Sequence, residues 1–427
     1  MKILMMSNTY APFVGGVERS IDIFTREYFK KGHEVLIIAP EYEGYRDSVD
    51  YVQRVPAIQR FNGTDFSVPL FISGKPAKRI EGFEPDIVHV HHPFLMGDAA
   101  LRTAAKFSLP VVFTHHTLFE DYTHYVPMNS EGMKRFVKQL ATGFANMCDR
   151  VFAPCRYVAE LIRERGVTTA VSVVPTGIDV DQFARGRGAG LRNQLGLAKE
   201  DFLIGTISRI APEKNLLFLA ESAAACLRRD EHAHFMIAGK GPLEHRIAGL
   251  FEQNGLSSRY HHLGVVTGEK LADAYAALDA FVFASKTETQ GLVLAEAMAA
   301  SRPVIALDAG AVRDVVDDGD NGYIVAEENP EHFRNVINRF RHLCAGKKAA
   351  MQQAALQKAN SFSQQRLAEK ALAIYQSLLL QKRTWELEYE SQTWKETMQL
   401  VKKEWAILSN LARATDKAMN KRDRDRI

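Results

Sequence analysis

The sequence predicts an α/β chain: two consecutive doubly wound units, one before and one after about residue 180, followed by a helical extension. Three observations carry the prediction. Short β-rich runs that are apolar throughout alternate with longer segments of helical period, as in parallel sheets covered by helices on both faces. The alternation stops at a Gly/Arg-rich stretch, Arg185–Gly190, and then restarts. Beyond Phe362 the pattern is helical only.

Taken in order, Ile3–Met6 reads as the first strand, Val17–Lys31 as a helix and Val35–Ala39 as the second strand. Strand-like runs follow at Ile87–Val90, Val111–Phe113, Arg150–Ala153 and Val171–Val174. Arg185–Gly190 reads as a linker or surface loop. The second unit opens with a strand at Phe202–Ser208 and a helix at Leu216–Arg228, then a strand at His234–Ala238 and a helix at Leu243–Asn254. Tyr260–Leu263, Ala280–Ala284, Pro303–Ala306 and Gly322–Val325 complete its strands, with Gly291–Ala300 helical. In the extension, Trp394, Met398, Val401, Trp405 and Leu408 recur at alternating spacings of four and three, one face of a helix flanked by Lys, Arg and Glu. The expected domains are 1–180, 181–360, a helix over 361–384 returning to the first domain, and a charged amphipathic tail over 385–427. Sheets of this kind bind ligands beyond the carboxyl ends of their strands, where the connections reverse. Two such units facing each other would enclose a cleft.

The 427 residues are 46% hydrophobic and 25% charged, the composition of an ordinary globular protein. A formal net charge of +3 sets no expectation of nucleic acid, and a clustered excess would suit reversible attraction to an anionic membrane surface. The run Ile3–Met6 is too brief for a signal peptide, and no stretch approaches the roughly 18 apolar residues of a spanning helix. The four cysteines lack zinc or CxxC spacing, so reduced thiols in a cytoplasmic protein are expected.

Several segments carry candidate chemistry. Gly15 and Gly16 lie between the first strand and its helix, where glycines let a backbone approach a diphosphate and open helix N–H groups to it, although a lone Gly-Gly is more often a plain turn. Arg209 and Lys214 sit on the loop after the first strand of the second unit, suited equally to neutralising a pyrophosphate or to a solvated, charged loop. Gly239 and Gly241 form a turn that either admits a base or phosphate or simply turns the chain tightly. In 287–299, Glu288 precedes a helix and Glu296 lies inside it, while Gly291 and Leu292 offer N–H groups near the helix start. One carboxylate can then hold donor-sugar hydroxyls and the other a ribose. The first unit is rich in histidine at strand ends: His89, His91 and His92, then His115 and His116. No HExxH-like spacing accompanies them, so no metal is expected; a structural role for His89 is an open alternative. Glu120, Asp121, Tyr122 and His124 suit a polyhydroxylated acceptor or a packed surface loop.

In this order the motifs resemble the retaining GT-B glycosyltransferases of family four, over nearly all of residues 1–380. The matching pieces are Gly15-Gly16, Thr114-His-His-Thr117, Val174-Pro-Thr-Gly177-Ile-Asp179, Arg209 with Lys214, Gly239 to Gly241, and Glu288-x7-Glu296. The resemblance implies two Rossmann-like domains facing a cleft, a nucleotide-sugar donor, retention of anomeric configuration and no metal. It places Arg209 and Lys214 on the donor diphosphate with N–H groups near Gly16, Glu288 and His116 at the donor sugar, and Glu296 on the ribose. The stretch 114–127 resembles more closely the bacterial diacylglycerol α-glucosyltransferases, with Phe119 where Tyr is usual. That branch implies UDP-glucose as donor, a lipid hydroxyl as acceptor, and peripheral contact with anionic lipid at the inner face of the cell membrane. The clusters Lys75, Lys78, Arg79 and Lys134, Arg135, Lys138 could touch such headgroups, and a solvated surface explains them equally well. A glycan or small-molecule acceptor, a UDP-sugar epimerase, and a non-catalytic assembly protein dimerising through the tail helix are the alternatives.

Overall fold

The structure is a computed structural model that describes residues 1–13, 15–59, 68–69, 72–118, 130–387 and 392–419, without the side chains of 68, 383–387, 392–401 and 416–419. The chain divides into two compact units, Met1–Thr176 with Leu367–Ile427, and Gly177–Arg366.

In the first unit the strands are β1 (Lys2–Met6), β2 (Glu34–Pro40), β3 (Val52–Val55), β4 (Ala57–Ile58), β5 (Val68–Pro69), β6 (Ile87–Val90), β7 (Val111–Thr114), β8 (Arg150–Ala153) and β9 (Val171–Val173). Its helices are α1 (Gly16–Lys30), α2 (Lys75–Phe83), α3 (Met96–Lys106), α4 (Glu131–Ala145) and α5 (Arg156–Glu164). Seven strands form one parallel sheet in the order β3-β2-β1-β6-β7-β8-β9, so the winding reverses between β1 and β6. The apolar-run signal does not reveal β3, because this edge strand carries Gln53 and Arg54. Arg54 is held by Asp47 and by the carbonyls of Pro40 and Ala11.

The second unit contains α6 (Val180–Ala184), α7 (Gly188–Gln194), α8 (Leu216–Arg229), α9 (Glu244–Gln253), α10 (Gly268–Ala277), α11 (Leu292–Ala299), α12 (Val312–Val315), α13 (Pro330–Arg341) and α14 (Ala345–Asn360). Its strands are β10 (Phe202–Ile207), β11 (Ala233–Ala238), β12 (Tyr260–His262), β13 (Ala280–Phe283), β14 (Val304–Leu307) and β15 (Gly322–Val325). They form a parallel sheet in the order β12-β11-β10-β13-β14-β15, reversing between β10 and β13. The continuous apolar runs are explained by its two cores. Leu203, Met236, Phe281 and Val304 face one, whereas Phe202, Phe235, Val282 and Ile305 face the other. Side chains alternate along a strand, so a sheet covered on both faces requires apolar residues at every position.

The Gly/Arg stretch is not a linker, contrary to the sequence reading. It joins α6 to α7 within the second unit, where a Cβ on Gly186 would lie 2.3 Å from the Ala272 carbonyl oxygen and one on Gly188 2.3 Å from the Ala276 carbonyl carbon. These glycines let the segment lie directly on α10.

Two helices end the chain, α15 (Gln364–Leu387) and α16 (Gln392–Met419). From Leu367 onward α15 belongs to the first unit, and Ala368, Ala371, Leu372, Tyr375 and Leu378 join the core made by β1, β2 and α1. Each fully buried large side chain there contributes roughly 1.5–3 kcal/mol. Helix α16 lies along α4 and α3 of the same unit. The face it buries is not the one marked by the sequence repeat: Ile407, Asn410 and Ala414 are buried, whereas Trp405 and Leu408 are exposed. The rotation is set by Arg102 donating twice to Glu404, Lys403 donating to the Met147 carbonyl, and Asn410 Nδ2 donating to the Leu140 carbonyl at 2.9 Å. The side chains of Trp394, Met398 and Val401 lie outside the described residues. Among the described residues no helix is long and apolar enough to cross a membrane, and the four cysteines are free thiols.

Candidate active site

The switch point of each sheet gathers the candidate residues of its own unit. In the first unit β1, β6 and β7 are successive neighbours, and Gly15-Gly16, His91-His92 and His115-His116 follow their carboxyl ends. Gly15 caps α1 in an extended conformation. A Cβ on Gly16 would meet nothing within 4 Å, so this side of the helix start is sterically open. Glu18 is a residue that sequence reasoning passed over. It is 5% exposed, and its Oε2 lies 2.6 Å from where a Gly15 Cβ would stand. Burial raises its carboxyl above the usual range, opposed by hydrogen bonds from Thr9 and the helix backbone. An acid in a first turn is ordinary capping chemistry, so only its burial marks it.

The histidines separate into distinct roles. His89 is a structural link: Tyr28 donates to Tyr375 at 3.2 Å, Tyr375 donates to His89 Nδ1 at 2.6 Å, and His89 Nε2 then donates to Thr114 Oγ1 at 2.7 Å. Burial pushes its imidazole down to about 3, so the ring is neutral. The main-chain N–H of Asn8 donates to His92 Nδ1 at 3.2 Å, which leaves the proton of a neutral ring on Nε2. His91 Nδ1 lies 2.9 Å from His116 Nε2, with the rings stacked 5.2 Å apart. Burial first, and then neighbouring imidazoles, hold both well below the ordinary value. His116 is therefore a neutral, half-buried imidazole oriented by a buried one. Glu120, Asp121, Tyr122 and His124 lie outside the described residues.

In the second unit the loops after β10 and β13 meet. Ser285 and Thr287 donate to the Glu213 carbonyl at 3.2 and 3.4 Å, stitching one loop to the other. Lys214 donates to Glu288 Oε1, and both side chains are 18% exposed. Two residues read separately from the sequence, a diphosphate cation and a sugar-binding carboxylate, thus form one ion pair at the switch point. An ammonium has three N–H donors and a carboxylate two acceptor oxygens, so the pair retains capacity for a ligand. Arg209 is 62% exposed and reaches Glu213 at 2.8 Å. Gly291 caps α11 with φ +69°, a left-handed turn that Gly adopts readily, and Leu292 opens the helix.

Glu296 and the glycine turn are placed differently. Glu296 is 1% exposed and accepts a hydrogen bond from Tyr275 at 2.7 Å. Gly239 has φ +140°, and a Cβ there would lie 1.9 Å from the Ser208 carbonyl; one on Gly241 would lie 2.3 Å from that of Ile210. Both glycines are needed because the turn rests directly on the loop leading to Lys214.

Comparison with known proteins follows the same division. Residues 14–182 match Glycosyltransferase Family 4, and residues 201–342 match Glycosyl transferases group 1. An alpha-monoglucosyldiacylglycerol synthase of Acholeplasma laidlawii is 28% identical over 356 residues, covering 79% of this chain and 88% of its own. A GDP-mannose-dependent alpha-mannosyltransferase of Mycobacterium tuberculosis is 28% identical over 343 residues, covering 78% and 85%. HepE of Anabaena, solved in complex with UDP, shares the fold with a TM-score of 0.69 at 20% identity, over 88% of this chain and 100% of that one. With two Rossmann-like units, both family matches and this structural likeness, the chain belongs to the family-four glycosyltransferases of the GT-B fold.

Proposed function

We propose that the protein transfers glucose from UDP-glucose, with retention, to the hydroxyl of a diacylglycerol-type lipid at the cytoplasmic face of the membrane. The observation that carries this reading is the Lys214–Glu288 pair at the β10/β13 switch point. Lys214 and Arg209 offset charge on the departing diphosphate, the N–H groups near Gly16, Gly291 and Leu292 add donors, and Glu288 orients the sugar hydroxyls. His116 acts at the donor sugar as a neutral hydrogen-bonding group, and Glu296 serves the ribose. Residues 1–180 are the acceptor domain and 181–360 the donor domain.

In the proposed step the acceptor oxygen bonds to the anomeric carbon on the face from which UDP departs. The bond from that carbon to the phosphate oxygen breaks, its electron pair stays on the β-phosphate, and the acceptor proton passes to that phosphate. Charge stabilisation by Lys214 and Arg209 leaves no step that requires a metal, so chelators are expected to leave the rate unchanged. The exposed Lys75, Lys78 and Arg79 of α2 would contribute peripheral contact with anionic lipid.

Support for the lipid acceptor comes from the Acholeplasma relative, an alpha-monoglucosyldiacylglycerol synthase, and support for the donor from HepE, solved with UDP and with UDP-glucose. The mannosyltransferase relative favours a second reading, the same chemistry with GDP-mannose. The test is a panel of nucleotide sugars with diacylglycerol in mixed micelles, the product anomer read by NMR. An α-glucosyl lipid from UDP-glucose is expected. Turnover only with GDP-mannose, only with a glycan acceptor, or as epimerisation without acceptor would each replace the reading.

A further inference from the structure

Helix α16 lies outside both family matches, which end at residues 182 and 342. Its inner face is occupied by α4 and α3, but its outer face carries Trp405, Leu408 and Leu411 at 73%, 58% and 46% exposure. Three large apolar side chains spaced three apart form a ridge along one side of the helix. Lys402 and Arg413, both exposed, run beside that ridge, eleven positions or three helical turns apart and therefore on one edge. The charge of the region is uneven too. Residues 392–427 hold nine Lys and Arg against five Asp and Glu, enough by themselves to account for the net +3 of the whole chain.

On the same basic edge, the seam between α16 and α4 opens into a cavity of about 400 Å³. Arg165, Arg413, Gln139, Asn146 and Asn410 line it. A cavity bordered by two guanidinium groups suits a phosphate monoester or diester.

We propose that the outer face of α16 docks the protein on an anionic bilayer, with Trp405, Leu408 and Leu411 at the headgroup boundary and a lipid phosphate in the Arg165–Arg413 cavity. An apolar ridge with a tryptophan and a basic flank is the arrangement of interfacial helices. The charge favours a bilayer over a second copy of the chain, because a two-fold partner would present the same Lys402 and Arg413, whereas anionic headgroups present the opposite sign. This surface deepens the lipid-acceptor reading, yet its test does not depend on turnover.

The experiment is flotation of the full chain with vesicles of phosphatidylcholine, with or without phosphatidylglycerol. The full chain is expected to float with the anionic vesicles and to be released by salt. Trp405→Ser with Leu408→Ser, both exposed, should keep the melting temperature and weaken flotation about tenfold or more. Arg413→Gln should weaken it about fivefold on anionic vesicles alone. Flotation unchanged in the double variant would overturn the proposal. So would a parent dimer that the double variant converts to monomer without change in flotation, since the ridge would then serve a second copy. Competition by inorganic phosphate without any vesicle binding would reduce the cavity to a free-anion site and also overturn it. Intact flotation with no glucosylation of detergent-dispersed diacylglycerol would uphold the surface and defeat only the acceptor reading.

Discussion

Lys214 and Glu288, 74 positions apart, form an ion pair between the loops that leave β10 and β13, the two strands at which the second sheet reverses its winding. The pair brings a cation suited to phosphate and a carboxylate suited to sugar hydroxyls within one hydrogen bond of each other. Lys214→Ala and Glu288→Ala should each lower kcat/KM by roughly 3 kcal/mol, about a hundredfold, if the contacts strengthen in the transition state. The charge-swapped pair, Lys214→Glu with Glu288→Lys, should restore melting temperature but not transfer. Steady-state rates beside thermal melts check this, and recovery of rate in the swap would mean that the pair is only structural.

The two glycine sites predict opposite behaviour. Gly239→Ala places a Cβ 1.9 Å from the Ser208 carbonyl and should cost more than about 1 kcal/mol of stability while displacing the loop to Lys214. Gly16→Ala meets nothing within 4 Å, so the fold should tolerate it. A raised donor KM with unchanged melting in Gly16→Ala would report a phosphate near that helix start. An unchanged KM would remove Gly16 from the site.

The hydrogen-bond chain through His89 should be a matter of stability, not turnover. Tyr375→Phe leaves His89 Nδ1 buried without its donor and is expected to cost roughly 1–3 kcal/mol. Tyr28→Phe removes only the outer link, Tyr375 still donating to His89, and should cost about 1 kcal/mol. Denaturant titration of the two variants ranks them, and donor KM should not move in either.

Acid should destabilise the first unit through its buried histidines. Burial lowers His89 to about 3 and His92 and His115 to about 4, with His91 and His116 also well below 6.5. Below pH 6.5 the unfolded chain takes up protons that the folded rings refuse. The stabilisation is therefore complete above that pH and lost as pH falls towards 4, at up to about 1.4 kcal/mol per pH unit for each ring. Melting temperatures measured between about pH 7 and 5 should fall with acidification. A flat profile would mean that the rings are protonated in the fold.

Two doubly wound units are legible from the residues alone, because a sheet covered on both faces leaves uninterrupted apolar runs in the chain. The sequence also marked nearly every candidate residue, since glycines at strand ends and charges on strand-to-helix loops are local signals. The pairing of Lys214 with Glu288 and of His91 with His116 was decided by strand order, which places loops from distant segments side by side. Burial likewise sorted residues of one type into different roles. It made His89 a structural link, turned Glu296 toward Tyr275, and put Glu18 beneath the start of α1. The tail shows the limit of periodicity most clearly. Its repeat marks an apolar face, but a repeat cannot say which face meets the protein. Arg102, Met147 and Leu140 fixed that by holding Glu404, Lys403 and Asn410 inward, leaving Trp405 and Leu408 outside.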